Sequence, residues 1–356
     1  MVRGKSLVLG CLALSATSLA EPAAVQSKAA ELLLRSMERA YTTSFSGIFL
    51  QRTLGGNKCD GQVKIDQSKE GKIRVSMLQP LSMQGITSLD DGRTWSTYFP
   101  DDKQIVIQQS PRARAQDPKQ RIELASKNYT FRFESGETIA GRRTNTVVAE
   151  PVFEGMPTRM YSLDSETSYM LRLETVDFRG KRSTHFDTKA IQFDARLNDK
   201  LFELRPVGDF RQVKLDAPER IRSMAQAHER LGFRPVLPEE LPAGFVINDR
   251  GIAGKDNTEF VVIRITDGLV TATVYQWNGR KPDQPWPTSR RDREVDGIKM
   301  RLIGDLPDGV MSRVLDAFIR KAVKNIGASL ETINATIVFE LPREDEPVFF
   351  FISQQP

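Results

Sequence analysis

Cysteine and histidine are nearly absent from this sequence, with two of each in 356 residues. Cys11 lies inside an N-terminal apolar run and Cys59 beside a Gly-rich turn. With that run removed, no intramolecular disulfide is possible, and the fold has to rest on its apolar core. His185 falls in a strand pattern and His228 on a helix, both far along the chain from Cys59. No spacing therefore marks a nucleophile with its base, or a zinc site. Gly55-Gly56-Asn57 lacks the lysine and serine of a phosphate loop and reads as a hairpin turn. The acidic pairs Asp90-Asp91 and Asp101-Asp102 sit at turn positions, where short carboxylates accept hydrogen bonds from the local backbone. A hydrolase would need a site that no motif marks, and no cofactor or metal is indicated. Charge of one sign is scarce as well: a net +5 is too weak to imply nucleic acid.

Long hydrophobic runs are also missing. The longest is at the N-terminus, where Arg3 and Lys5 precede about 15 uncharged residues, short of the roughly 20 that a membrane-spanning helix needs. Ser18-Leu19-Ala20 supplies small residues at cleavage positions and Glu21-Pro22 follow, so residues 1–20 read as a secretory signal peptide cut near Ala20. A rival reading takes Val8-Leu9-Gly10-Cys11 as a lipobox, but only five residues separate Lys5 from Cys11, too few for its apolar segment. The expected product is a soluble periplasmic protein, peripheral to a membrane at most.

What the chain does have is a long series of short strand patterns. One amphipathic helix opens it, with Ser27 as its expected cap and Leu33, Leu34, Met37 and Tyr41 at helical spacing. The period then changes to two over 45–51, 62–66, 73–78, 83–89, 94–99 and 104–108, an antiparallel meander punctuated by Glu70-Gly71, Asp91-Gly92 and Asp101-Asp102. A polar, basic stretch over 110–127 reads as a second helix or a lid, and strands resume over 129–133, 137–149, 158–163, 168–178 and 181–193. Proline then becomes dense from 204 to 242, which favours a linker. It contains a helix for which Asp216 and Glu219 suggest a capping box and Gly232 the stop. A smaller domain follows, with strands over 245–248, 259–266, 269–276 and 297–303, a hairpin turn at Asp267-Gly268, a helix over 308–326, and apolar runs over 335–341 and 348–352. The expected division is a signal peptide 1–20, a first domain 21–205, a linker 206–236 and a second domain 237–356. The connection is expected to impose no rigid angle and no shared core, leaving a cleft between the domains.

So much antiparallel sheet has few helices to cover it, and a sheet curled around too few helices leaves an apolar face open. Phe49, Ile65, Val75, Trp95, Ile105, Ile107, Met160, Leu171 and Leu173 are candidates to point inward, either as plain core or as a pocket for acyl chains or an apolar peptide. Two basic clusters could complement such a pocket. One holds Arg112, Arg114, Lys119 and Arg121; the other holds Arg280, Lys281, Arg290, Arg291 and Arg293 around Trp286. Arginine forks suit phosphate and carboxylate groups, so these read as lipid head-group or partner contacts, or else as solvated loops.

Certain motifs recur in a familiar order. The leading helix runs into Ser44-Phe45-Ser46-Gly47-Ile48-Phe49, then come Asp91-Gly92 and Tyr161-Ser162-Leu163-Asp164-Ser165-Glu166-Thr167-Ser168-Tyr169-Met170-Leu171-Arg172. Gly232-Phe233-Arg234-Pro235, Leu241-Pro242-Ala243-Gly244-Phe245, Arg264-Ile265-Thr266-Asp267-Gly268-Leu269 and Arg301-Leu302-Ile303-Gly304-Asp305-Leu306-Pro307 follow. This order resembles the periplasmic MucB/RseB regulators, whose first domain shares the fold of LolA-type lipoprotein carriers. The resemblance covers roughly residues 28–326. It implies an α+β fold, an unclosed antiparallel β-barrel wrapped around one or two helices plus a small C-terminal α+β domain. It further implies a non-enzymatic regulator of sigma-E type envelope-stress signalling. Such a protein holds the periplasmic domain of an anti-sigma factor, shields it from proteolysis, and releases it when lipid, lipopolysaccharide or lipoprotein acyl chains enter the first domain. The alternative is a periplasmic lipid or lipoprotein carrier, which would need only the first domain. The sequence departs from the pattern in the length of the helix from Asp308 and in the apolar runs within 329–356.

Overall fold

A computed structural model describes residues 23–51, 61–206, 208–255, 258–279 and 290–326. The expected signal peptide, Cys59, the Trp286 loop with Arg280 and Lys281, and the apolar runs after 329 lie outside the described residues. A helix α1 (Ala23–Arg39) leads into β1 (Phe45–Gln51), β2 (Gly61–Gln67), β3 (Ile73–Gln79), β4 (Thr87–Asp90), β5 (Thr94–Phe99) and β6 (Gln104–Gln109). After α2 (Pro118–Asn128) come β7 (Tyr129–Glu134), β8 (Thr138–Ile139), β9 (Arg142–Pro151), β10 (Thr158–Asp164), β11 (Met170–Val176) and β12 (Arg182–Phe193). Two short strands, β13 (Arg211–Lys214) and β14 (Glu219–Arg220), and α3 (Met224–Leu231) occupy the connection. The second domain holds β15 (Val246–Ala253), β16 (Phe260–Thr266), β17 (Thr271–Asn278), β18 (Arg290–Val295), β19 (Ile298–Ile303) and α4 (Asp308–Ile326).

The first sheet has thirteen strands in the order β13-β6-β5-β4-β3-β2-β1-β12-β11-β10-β9-β7, with β8 beside β9. Its end strands β13 and β7 do not meet, so the barrel is unclosed. Every pairing in it is antiparallel except β13 on β6. Alternation explains the strands: in β1, Phe45, Gly47, Phe49 and Gln51 are buried and the residues between them half-buried, the signature of a sheet with one face on a core. Register carries that inner face from strand to strand through Phe49↔Val63, Ile65↔Val75 and Asp90↔Trp95 in one direction and Leu173↔Phe186 and Tyr161↔Leu173 in the other.

The helix starts differ from the sequence reading. The first helix begins at Ala23, which puts Ser27 inside it rather than at its cap. In the connection, Ser223 rather than Asp216 caps α3, its hydroxyl accepting from Gln226 N at 3.3 Å, while Gly232 closes the helix in the left-handed conformation. Asp216 instead pairs with Lys255. The second sheet has the order β14-β15-β16-β17-β19-β18, and its inner face packs on α4 through Ile263, Val274, Met300, Val314 and Phe318.

The expectation of domains without a common core is corrected. One continuous apolar cluster runs from Leu33 and Met37 of α1 and Ile122 and Ala125 of α2, through Phe131, Val147 and Tyr161, to Phe245, Ile265, Leu269 and Val310 of the second domain. The connection is also tied down at both ends, because β13 extends the first sheet and β14 extends the second.

Candidate functional site

Six of the nine residues expected to point inward share the inner face. Phe49, Ile65, Val75 and Trp95 pack in one buried cluster with Phe45, Val63, Ile73 and Met77, and Leu171 and Leu173 are buried farther round the sheet. Aromatic rings fill the space above them: Phe49 stacks on Phe186 with centroids 5.0 Å apart, and Phe45 lies 4.7 Å from Tyr169. The other three face away, a correction that follows from strand parity. Ile105 and Ile107 oppose Tyr98 and Ser96, whereas the face of Trp95 continues through Thr97↔Val106. Met160 opposes Val148 and Glu174, while its neighbour Tyr161 carries the inner face. A one-residue offset in a strand sends a side chain to the opposite face, and a run such as Ile105-Val106-Ile107 is apolar on both.

The arginines of the first basic cluster are engaged within the molecule. Arg112 ties the strand ends at Asp90 and Gly71 to the segment after the leading helix: its Nε donates to Asp90 Oδ2 at 2.9 Å, its Nη1 to Gly71 O at 2.8 Å, and its guanidinium lies 4.7 Å from the Tyr41 ring centroid. Arg114 crosses to the second domain, pairing with Asp249 at 3.2 Å and donating to Pro218 O. Arg121 also crosses, donating from Nε to Gly268 O at 3.1 Å. Of the second cluster, Arg290, Arg291 and Arg293 lie on β18, where Arg291 meets Asp308 at 3.3 Å and Arg293 meets Asp316 at 3.8 Å.

Together these contacts outline a polar junction between the domains, built around the β16–β17 hairpin. The Asp267 carboxylate receives the Leu269 and Val270 amides on Oδ1 at 2.9 and 2.7 Å, which closes the turn. Tyr129 donates to its Oδ2 at 2.6 Å from the first domain, and Asn128 Nδ2 donates to Asp267 O at 2.8 Å and Gly244 O at 3.0 Å. Such closeness requires glycine. At Gly268, where φ is +102°, a Cβ would lie 2.5 Å from Ala125 N and Arg121 O; at Gly244 it would lie 2.2 Å from Asn128 Oδ1.

Beside the hairpin lies Arg159, a fully buried side chain, whose Nε donates to Tyr161 OH at 3.0 Å. Burial works against its charge, but Tyr161, Tyr129 and Asp305 outweigh that and raise its pKa above the ordinary arginine value. Burial likewise raises the pKa of Asp267 despite the hydrogen bonds it accepts, and burial with the nearby Asp267 charge raises that of Tyr129. On the same side His185 Nδ1 approaches Asp305 Oδ2 at 2.8 Å and its Nε2 approaches Thr175 Oγ1 at 2.7 Å, again bridging the domains. Sequence reasoning gave no functional part to Tyr129, Asn128 or Arg159, and quoted Asp305 only within a family motif. The one signal was an arginine at 159, next to the first apolar residues of a strand.

Among the described residues no three His, Cys, Asp or Glu side chains are grouped to hold a metal ion, and no helix is long and apolar enough to cross a membrane. The junction holds buried charge and matched donors, an arrangement that positions two domains.

Comparison with known proteins agrees with this architecture. The sequence pattern of the MucB/RseB N-terminal domain matches residues 28–205, half of the chain. Among solved structures, the Pseudomonas aeruginosa MucA/MucB complex contains a chain similar to this one at a TM-score of 0.57 and 17% identity, over 81% of this chain and 96% of that one. MucB in complex with MucA(peri) gives 0.56 and 16%, over 82% and 97%, and MucB by itself 0.55 and 18%, over 82% and 97%. At these identities the likeness is one of fold, and it extends well beyond the first domain. No curated protein sequence matches the chain.

Proposed function

Because the chain belongs to the MucB/RseB family, we propose that it is a non-enzymatic periplasmic regulator that holds the periplasmic part of an anti-sigma factor. The observation that carries this reading is the extent of the shared fold, which includes the second domain as well as the first. Two of the matched structures hold MucB together with MucA. A fold with two domains locked by a common core offers a partner one composite surface. On this reading the bound anti-sigma segment is shielded from proteases, and acyl chains of mislocalised lipid or lipoprotein release it by entering the inner face of the half-barrel. Their entry would have to displace Phe186 or Tyr169, which now fill that face.

The test uses the full chain. A purified periplasmic segment of an anti-sigma factor from the same organism is titrated against it, then challenged with protease with and without added lipid. Saturable binding, protection, and loss of both on adding lipid are the expected results. Absence of binding would overturn the regulator reading; binding and protection that lipid leaves unchanged would remove the sensing step alone. Lipid uptake without partner binding would favour the carrier alternative.

A further inference from the structure

The second sheet has an edge that the described residues leave half covered. At this edge β14 pairs only Glu219↔Ile252 and Arg220↔Gly251, and a bond from Ile221 N to Arg250 O at 3.4 Å ends the pairing. Among the described residues no strand lies beside the rest of β15 toward Val246. An open cleft of about 470 Å³ runs there, lined by Arg220, Ile221, Ile247, Asn248, Asp249 and Arg250. The β15 ladder bulges between Ile247 and Asp249, and Val246 is 42% exposed.

Cations outnumber anions around this cleft. The single carboxylate of Asp249 is shared by Arg114 at 3.2 Å and Arg220 at 3.4 Å. Arg250 donates to a backbone oxygen, Arg222 O at 3.0 Å. Arg264 stands opposite Asp249 in register and makes no side-chain hydrogen bond or ion pair among the described residues. Burial, reinforced by Arg114 and Arg220 and opposed by Asp249 and Tyr275, holds its pKa below the ordinary arginine value. Positive charge held in a partly desolvated place without its complement attracts anions strongly.

We propose that this edge docks an extended acidic peptide, which adds as a short strand along Val246–Asp249 with its carboxylates toward Arg220 and Arg264. A free edge offers main-chain donors and acceptors that a small oxyanion cannot use, and strand addition is an established mode of peptide capture. The half-buried Ile247, on the face opposite Arg264, supplies apolar ground for the alternate side chains. This surface adjoins the interdomain junction through the Arg114–Asp249 pair but lies away from Asp267 itself, and its peptide need not come from an anti-sigma factor.

The test uses the full chain and a fluorescent peptide of alternating glutamate and valine, followed by anisotropy at low salt and by hydrogen exchange. Saturable binding with slowed exchange within 246–249 is expected. A peptide of equal charge with the valines replaced by proline, which lack N–H groups, should bind at least tenfold more weakly. The exposed pair Arg220→Glu with Arg222→Glu should lower affinity for the original peptide at least tenfold while the melting temperature is held. Equal binding of the proline peptide, or no binding of either, would overturn strand addition. Slowed exchange at 246–249 with inorganic phosphate alone, displacing the peptide, would make the cleft an oxyanion site and overturn the proposal. A chain that holds an anti-sigma segment yet ignores the acidic peptide would refute this inference alone.

Discussion

Asp267 has no solvent exposure, and its carboxylate closes a turn in one domain while accepting the Tyr129 hydroxyl of the other. Its pKa is raised in the fold, foremost by burial, so the native state binds its proton more tightly than the unfolded chain does. That contribution is complete below the ordinary carboxylate range and is lost as pH rises through the folded value. Asp267→Asn keeps an oxygen for the Leu269 and Val270 amides and turns an N–H toward the Tyr129 oxygen, without the buried charge. As pH rises above the ordinary carboxylate range, urea midpoints should therefore fall less for Asp267→Asn than for the wild type; parallel changes would show that Asp267 does not titrate over the range scanned. Asp267→Ala strands a hydroxyl and two amides, a loss of about 3 kcal/mol or more. A second contrast isolates packing from backbone strain. Gly268 and Gly141 both have positive φ, +102° and +77°, but only Gly268 would drive a Cβ into α2, with nothing within 4 Å at Gly141. Gly141→Ala should cost about 1–2 kcal/mol from conformation alone, and Gly268→Ala should exceed it in the same denaturation experiment.

Elements whose interiors alternate were legible in the sequence, and those defined by their neighbours were not. The β1 strand and α4 match their sequence ranges because burial at a period of two or an apolar period of 3.6 runs along them, and β5 matches because turn residues bound it on both sides. By contrast β18, Arg-Arg-Asp-Arg-Glu-Val, reads as a basic loop: it is an edge strand whose charges face solvent and pair with Asp308, Asp316 and Arg301. Equally hidden are β13 and β14, four and two residues long, which exist only because a sheet edge accepts them. The basic stretch before β7 was visible as charge, but whether Arg112, Arg114 and Arg121 face a ligand or another domain depends on contacts over 100 residues away in sequence for the latter two and was not readable. The α3 start shows how close the signals run: Asp216 and Ser223 both offer a side-chain cap, and tertiary placement chose the second. Ser223→Ala should destabilise by about 1 kcal/mol and speed exchange in the first turn of α3, while Asp216→Ala should leave that turn unchanged.

Across the whole molecule, a core common to both domains makes their unfolding a single event. Calorimetry of the full chain should show one cooperative transition, since melting the second domain would strip Ile122, Ala125 and Phe131 of their cover; two resolved transitions would show that the junction is too weak to couple them. Fragments 21–205 and 236–356 should each expose that face, bind a hydrophobic dye and self-associate. Sheet order has a temporal consequence as well. Strand β1 is flanked by β2 and by β12, so Phe45 is paired with Phe193 across nearly the whole first domain, and α2, beside α1 and β7, gains its cover at Ala125 only when the hairpin at Asp267 arrives. A chain delivered N-terminus first would have to wait for residue 193 before its first sheet could join its two halves, and for residue 268 before its apolar surface was sealed. Contacts this distant slow folding and prolong the exposure of apolar surface, so the nascent protein should depend on a holding chaperone until its last third has emerged.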